Sequence, residues 1–207
     1  MYKEFGQFIN GKWQESSNKE TYEVINPANE EVIGNASKAS PEDVSKALQS
    51  AENGLNIWKN TPAWERSYII RRIADRIREK KDVLAKWMAL EVGKPLTEGL
   101  AEVNGSADIF EWNAEETKRI YGQTVESRFK DTRVHVYYQP VGVVAALSPW
   151  NFPLVLSSRK ISTALAAGCS VIIKPDVITP GVIMELVDIC RERGVPPGVV
   201  NLLSGDP

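Results

Sequence analysis

Residues 141–153 read VGVVAALSPWNFP, and the fifteen residues that follow read LVLSSRKISTALAAG. The run VGVVAAL has the continuous apolar character of a strand buried on both faces, which is the signature of a parallel sheet. The residues after Pro153 carry a helical pattern that closes at Gly168. SVIIKP then reads as a second buried strand. Thr179-Pro180 caps a second helix, GVIMELVDICRER, which closes at Gly194, and VVNLLSG is a third strand. Strand, helix, strand, helix, strand is the doubly wound α/β pattern.

The residues upstream prepare this unit. Asn10-Gly11 between Phe8-Ile9 and Trp13 is a hairpin signal. Two further short strands flank the turn at Asn26-Pro27. Ser40, Pro41 and Asp43 start a helix with a capping-box-like pattern, and Val44, Ala47, Leu48 and Ala51 form its expected apolar stripe. Thr61-Pro62 opens a long helix that buries Ile69, Ile70, Ile73 and Ile77, and its arginines and lysines read as a solvated face. Leu84, Trp87, Met88 and Glu91 continue a helical pattern up to the stop Gly93-Lys94-Pro95. Another helix covers about 97–119, with Phe110 and Trp112 read as core. RVHVYYQ, 133–139, alternates like an exposed strand, and its lone His135 reads as a surface or packing residue. The chain divides near residue 140 into an N-terminal part, 1–140, and the first part of a nucleotide-type domain, 141–207.

Composition narrows the function classes. Hydrophobic residues make up 43%, charged residues 25%, and the formal net charge is -2. That balance points away from nucleic acid and from acidic membranes as partners. The apolar runs are too short or too polar to span a bilayer, and the start has no apolar signal region. Cys169 and Cys190 fit no metal or redox spacing, and a single His rules out a His-rich metal site. A reducing, cytoplasmic setting is the default for such a chain.

Ligands of an open parallel sheet bind at the carboxyl ends of its strands. Two such ends here carry unusual residues: SPWNFP, 148–153, and KPDVITP, 174–180. Neither is a G-x-G-x-x-G loop, which counts against an ordinary Rossmann reductase. Asn151 can aim neutral N–H donors at a developing oxyanion, with Pro149 and Pro153 restricting the turn around it. By residue type alone, capping the helix that starts near Phe152 is the commoner role for such an asparagine. Lys174 is placed to hold the hydroxyls or phosphate of a nucleotide, or simply to snorkel at a strand end.

SPWNFP, ALAAGCSVIIKP, the following Thr-Pro and GVPPGVVNLLSG, together with FINGKW, the Asn-Pro-Ala turn and EWNAEETKRIYG, closely resemble the aldehyde dehydrogenase superfamily in order and spacing, over essentially the whole chain. The last of these segments resembles the semialdehyde and aromatic-aldehyde branches. The resemblance implies NAD(P)-dependent oxidation of an aldehyde to a carboxylic acid. It implies an oxyanion role for Asn151, adenosine-ribose binding by Lys174, and a cofactor groove lined by Ser148 and Trp150. It also implies an oligomerisation or bridging strand near 133–139, and a homo-oligomer for the complete protein. Many NAD-using members have Glu three residues after the lysine. Val177 stands there, so tolerance of NADP is expected, and the cofactor is NAD or NADP. Arg159, eight residues after Asn151, matches an arginine that holds the distal carboxylate of semialdehydes, a task suited to bidentate geometry; a solvated helix arginine is the other reading.

The resemblance also sets a limit. Family members run to more than twice this length, and their nucleophilic Cys and general-base Glu lie past Pro207. The 207 residues alone are therefore expected to be an inactive, incomplete unit lacking the catalytic domain, with the edge of VVNLLSG left unpaired by the missing strands. A catalytically inactive paralogue that binds nucleotide or a partner chain is the alternative.

Overall fold

The computed structural model describes residues 6–206. Strand β1 (Gln7–Ile9) turns through Asn10-Gly11 into β2 (Lys12–Gln14), and β3 (Thr21–Ile25) pairs with β4 (Val32–Ser37). Helices α1 (Pro41–Trp58), α2 (Ala63–Glu79), α3 (Lys81–Val92) and α4 (Leu96–Thr117) follow. An exposed two-stranded arm comes next, β5 (Gln123–Glu126) against β6 (Arg133–Val136), and the sequence showed only its second strand. The unit then closes with β7 (Val143–Leu147), α5 (Pro153–Ala166), β8 (Ser170–Lys174), α6 (Pro180–Glu192) and β9 (Val200–Leu202). This is an α/β fold. Among the described residues, no helix is long and apolar enough to cross a membrane.

The main sheet runs β2-β1-β9-β8-β7, with β7, β8 and β9 parallel and the N-terminal hairpin added antiparallel. The expected free edge at β9 is therefore taken. Phe8 faces Leu202 across it. The buried Gln7 extends the contact with its side chain. Its amide accepts from the Ser204 N–H at 2.7 Å and donates to the carbonyls of Ser204 and Ser37 at 3.3 and 3.0 Å. The outer strands of the sheet are β2 and β7, so the parallel unit is open at β7, whose second side pairs with no strand among the described residues.

The period-2 alternation of strands sorts the sheet into two faces. Val171, Ile173, Val200 and Leu202 join the large core with α5 and α6, whereas Ile9, Ala47, Ile172 and Leu203 form a smaller cluster under α1. The α1 stripe differs from expectation. Its buried face is Asp43, Ala47, Ser50, Ala51, Gly54 and Trp58, and Val44 and Leu48 are exposed. Gly54 explains the rotation. A Cβ there would lie 2.2 Å from the Gly198 carbonyl carbon, so the helix backbone rests on the turn that leads into β9. The capping box at Ser40 and Asp43 is present, and the same carboxylate also accepts from the N–H and hydroxyl of Ser17.

Helices α2, α3 and α4 pack together beside α5 and α6, burying Ile70, Ile73, Ile77, Leu84, Met88 and Phe110 completely. Trp112, read as core, is instead 69% exposed, because it lies off the Val103–Ala107–Phe110–Ala114 stripe of α4. The basic face of α2 is paired rather than bare. Arg71 bridges to Glu111 and Glu115, Arg78 to Asp108 and Glu111, and Arg76 and Lys80 to Glu192.

Candidate functional site

The carboxyl ends of β7 and β8 lie side by side. Leu147 is the register partner of Lys174, and the Ser148 N–H donates to the Lys174 carbonyl at 3.1 Å. Ser148 is buried, and its hydroxyl oxygen accepts from the Ser157 hydroxyl at 2.8 Å, which ties the start of the turn to α5. The turn then rises to the surface, where Trp150, Asn151 and Phe152 are exposed.

The first N–H groups of a helix have no partner within it and carry a partial positive charge. At α5 the flanking residue is Phe152, which cannot cap. The Leu154 and Val155 N–H groups donate instead to one carboxylate oxygen of Glu102, on α4, at 2.9 and 3.1 Å. Helix α6 repeats the solution. The Gly181 and Val182 N–H groups donate to the carboxylate of Glu91, on α3, at 2.6 and 3.1 Å. Thr179, expected as the cap, makes no capping bond, and its buried hydroxyl has no partner among the described residues.

Two consequences follow. Asn151 is not the cap of α5, so the structural role left open by its residue type is overturned. Among the described residues its side-chain amide makes no hydrogen bond and stands exposed beyond β7. Second, the helix ends that would ordinarily cradle a phosphate already hold a protein carboxylate. The missing glycine-rich loop and the filled helix end agree: no pyrophosphate can use the α5 amides.

The remaining predicted residues lie as follows. Lys174 is half-buried, and among the described residues its ammonium reaches only the Pro175 carbonyl, at 3.5 Å, which leaves donors for a ligand. Val177 is half-buried on the next turn. Between them, the Asp176 carboxylate accepts from the Ile178 N–H at 3.1 Å. These groups fit a ribose better than a pyrophosphate, because they offer one cation and no cluster of free amides. Arg159 is exposed two turns into α5. It lines a shallow apolar groove with Val144, Ala146, Thr163 and Ala164, which neither Asn151 nor Lys174 lines. Both cysteines are buried free thiols, and burial pushes Cys190 up to about 12, far from a reactive thiolate. Among the described residues, no group of three or more His, Cys, Asp or Glu is placed to hold a metal.

Sequence reasoning missed Lys94 and Glu102. Gly93 ends α3 in the left-handed conformation, φ 75°, and turns the next residue back toward α5. The Lys94 ammonium pairs with Glu102, donates to the Asn151 carbonyl at 3.2 Å and lies 4.6 Å from the Phe152 ring centroid. The two side chains are 8% and 2% exposed, so this is a buried ion pair.

The aldehyde dehydrogenase family profile matches residues 13–207. The glutarate-semialdehyde dehydrogenase of Pseudomonas putida is 41% identical over 198 residues, covering 96% of this chain and 41% of that protein. The NADP(+) succinate-semialdehyde dehydrogenase GabD of Escherichia coli is 41% identical over 197 residues, 95% of this chain and 41% of its own length. Among solved structures, an E. coli NADP-dependent enzyme superposes with a TM-score of 0.96 at 40% identity, over 98% of this chain and 42% of that one. The betaine aldehyde dehydrogenase of Staphylococcus aureus in complex with NAD+ gives 0.94 at 37% identity, over 97% and 40%. The chain thus spans about two-fifths of the length of the relatives it matches. With the profile covering nearly all of it and the fold superposing throughout, the chain belongs to the aldehyde dehydrogenase family.

Proposed function

We propose that the complete polypeptide carrying this segment oxidises an aldehyde, with a semialdehyde as the first substrate class, to the carboxylic acid with NAD or NADP. The observation that carries this reading is Asn151. Its amide is released from helix capping by Glu102 and stands free at the carboxyl end of β7, where ligands of such sheets bind. When a nucleophile attacks the aldehyde carbon, the carbonyl electron pair moves onto oxygen. A neutral N–H donor held there stabilises that charge without neutralising the nucleophile. Neither cysteine of this segment is placed to attack, so the nucleophile comes from the rest of the polypeptide. The dinucleotide supplies the hydride acceptor.

Lys174 would hold the adenosine ribose hydroxyls, with Ser148 and Trp150 lining the same groove. Val177, three residues on, carries no charge to repel a 2′-phosphate, so NADP should be used at least as well as NAD. Support for the substrate class comes from relatives that act on glutarate and succinate semialdehydes by name. Arg159 would meet the distal carboxylate of such a substrate.

The test is steady-state kinetics of the complete polypeptide with succinate semialdehyde and each cofactor. Asn151→Ala should lower kcat by about 10²–10³ with the cofactor KM little changed, because the amide acts on charge that develops only after attack. A variant within a few-fold of the parent would remove Asn151 from the chemistry. A strong preference for NAD would overturn the role given to Val177.

A further inference from the structure

We propose that Lys94 and Glu102 are positioning residues for Asn151, forming a buried ion pair that fixes the one part of the 148–153 turn its prolines leave free. This rests on the proposed role of Asn151. Pro149 fixes its own φ and biases Ser148, and Pro153 does the same for itself and Phe152. Trp150 and Asn151, between them, have no such restriction. Both are exposed, so packing does not hold them either.

Lys94 acts on that gap. Its ammonium holds the Asn151 carbonyl at 3.2 Å and covers the Phe152 ring at 4.6 Å. Holding the carbonyl sets the plane of the 151–152 peptide, and with it the direction in which the Asn151 side chain leaves the backbone. A long lysine could do this only loosely by itself. Glu102 removes the slack, because one carboxylate oxygen is fixed by the Leu154 and Val155 N–H groups and the other pairs with Lys94. The chain of contacts runs from the α5 N-terminus through Glu102 and Lys94 to the Asn151 peptide. Glu91 fills the N-terminal end of α6 in the same way, with the Gly181 and Val182 N–H groups on its carboxylate.

The experiment is a double-mutant cycle in the complete polypeptide, read as kcat, cofactor KM and melting temperature. Lys94→Met should lower kcat by about 10–100-fold with cofactor KM unchanged, since misplacing a donor by about 1 Å has an effect of that size. In an Asn151→Ala background the same change should do nothing further. Lys94→Arg, which keeps charge and reach, should recover most of the loss. If Lys94→Met does not fold, Glu102→Gln replaces it: the amide oxygen still accepts from Leu154 and Val155, and the NH2 that takes the place of the other oxygen offers Lys94 neither charge nor acceptor. It should show the same loss and the same silence without Asn151. Losses that multiply with Asn151→Ala, or an unchanged kcat in either variant, overturn the proposal while leaving the Asn151 reading intact. A harmless Asn151→Ala overturns both.

Discussion

The two sides of the parallel unit β7-β8-β9 are finished in opposite ways. Beside β9, the hairpin β1–β2 adds two antiparallel strands, and Gln7 carries the pairing on with its side-chain amide. Beside β7, no strand is present among the described residues, and Ala145 and Leu147 are exposed. One edge is closed by a segment that is distant in sequence; the other is left available. An unpaired edge is a template for association, so β7 is where a partner strand would extend the parallel unit. The carboxyl end of β7, with Asn151 just beyond it, lies on the open side.

The closed edge should be the more sensitive to mutation. Gln7→Ala removes the acceptor of the Ser204 N–H, while the Ser204 and Ser37 carbonyls keep other donors, the Ala39 N–H and the Ser204 hydroxyl. One buried N–H left without a partner costs about 1–3 kcal/mol. For a chain of this size that lowers Tm by roughly 2–4 °C per kcal/mol, measurable by thermal denaturation. A shift below about 1 °C would show that the hairpin is only loosely held against β9.

The closed edge should also respond to acid. The Trp13 indole N–H donates to Asp188 on α6 at 3.1 Å, which pins β2 to the helix. Burial acts to raise the pKa of Asp188, but Arg191 and Trp13 outweigh it and hold the carboxyl below its ordinary value. A carboxyl depressed in the folded state is more readily protonated when unfolded. Its contribution is therefore complete above the unfolded pKa of about 3.9 and is lost as pH falls through the lower folded value. Melting curves from about pH 6 to about pH 3 should show this loss, and Asp188→Asn should flatten it while keeping an acceptor for Trp13. An unchanged acid limb would place the titration elsewhere.

The same contrast explains what the sequence could reveal. The turns, the α1 capping box, the Ile stripe of α2 and the order of β7 to β9 are local patterns, and each was legible. The closure of β9 by β1 was not, because nothing in Gln7-Phe8-Ile9 names a partner more than 190 residues away. Asn151 and Lys174 stood out because they end buried strands. Glu91 and Glu102 gave a weaker signal that was available: each is a carboxylate inside an apolar helical stripe, Leu84–Trp87–Met88–Glu91 and Gly99–Glu102–Val103–Ser106. A charge at such a position needs a buried partner. Which partner it has, two helix ends elsewhere in the chain, becomes visible only in the fold. Trp112 and the Val44–Leu48 pair misled for the opposite reason, since apolar residues on an exposed face carry no local mark of exposure.

The smallest effect on stability is expected at the open edge, where the effect on association should be large. The 207-residue chain should self-associate through β7 as its concentration rises, because that strand offers unpaired backbone groups beside the apolar groove of Val144, Ala146, Ala164 and Ala167. Ala145→Lys puts a charge on an exposed residue of this strand. It removes no core contact, so stability should stay within about 0.5 kcal/mol and Tm within about 2 °C. The lysine would have to be desolvated if another strand were laid against β7, so association should fall. Light scattering across a concentration series, with melting curves at the lowest concentration, separates the two effects. If the parent chain stays monodisperse, the β7 edge is not adhesive. If the variant associates as strongly as the parent, the contact lies elsewhere, with the exposed arm around Phe129, Tyr137 and Tyr138 as the next surface to test.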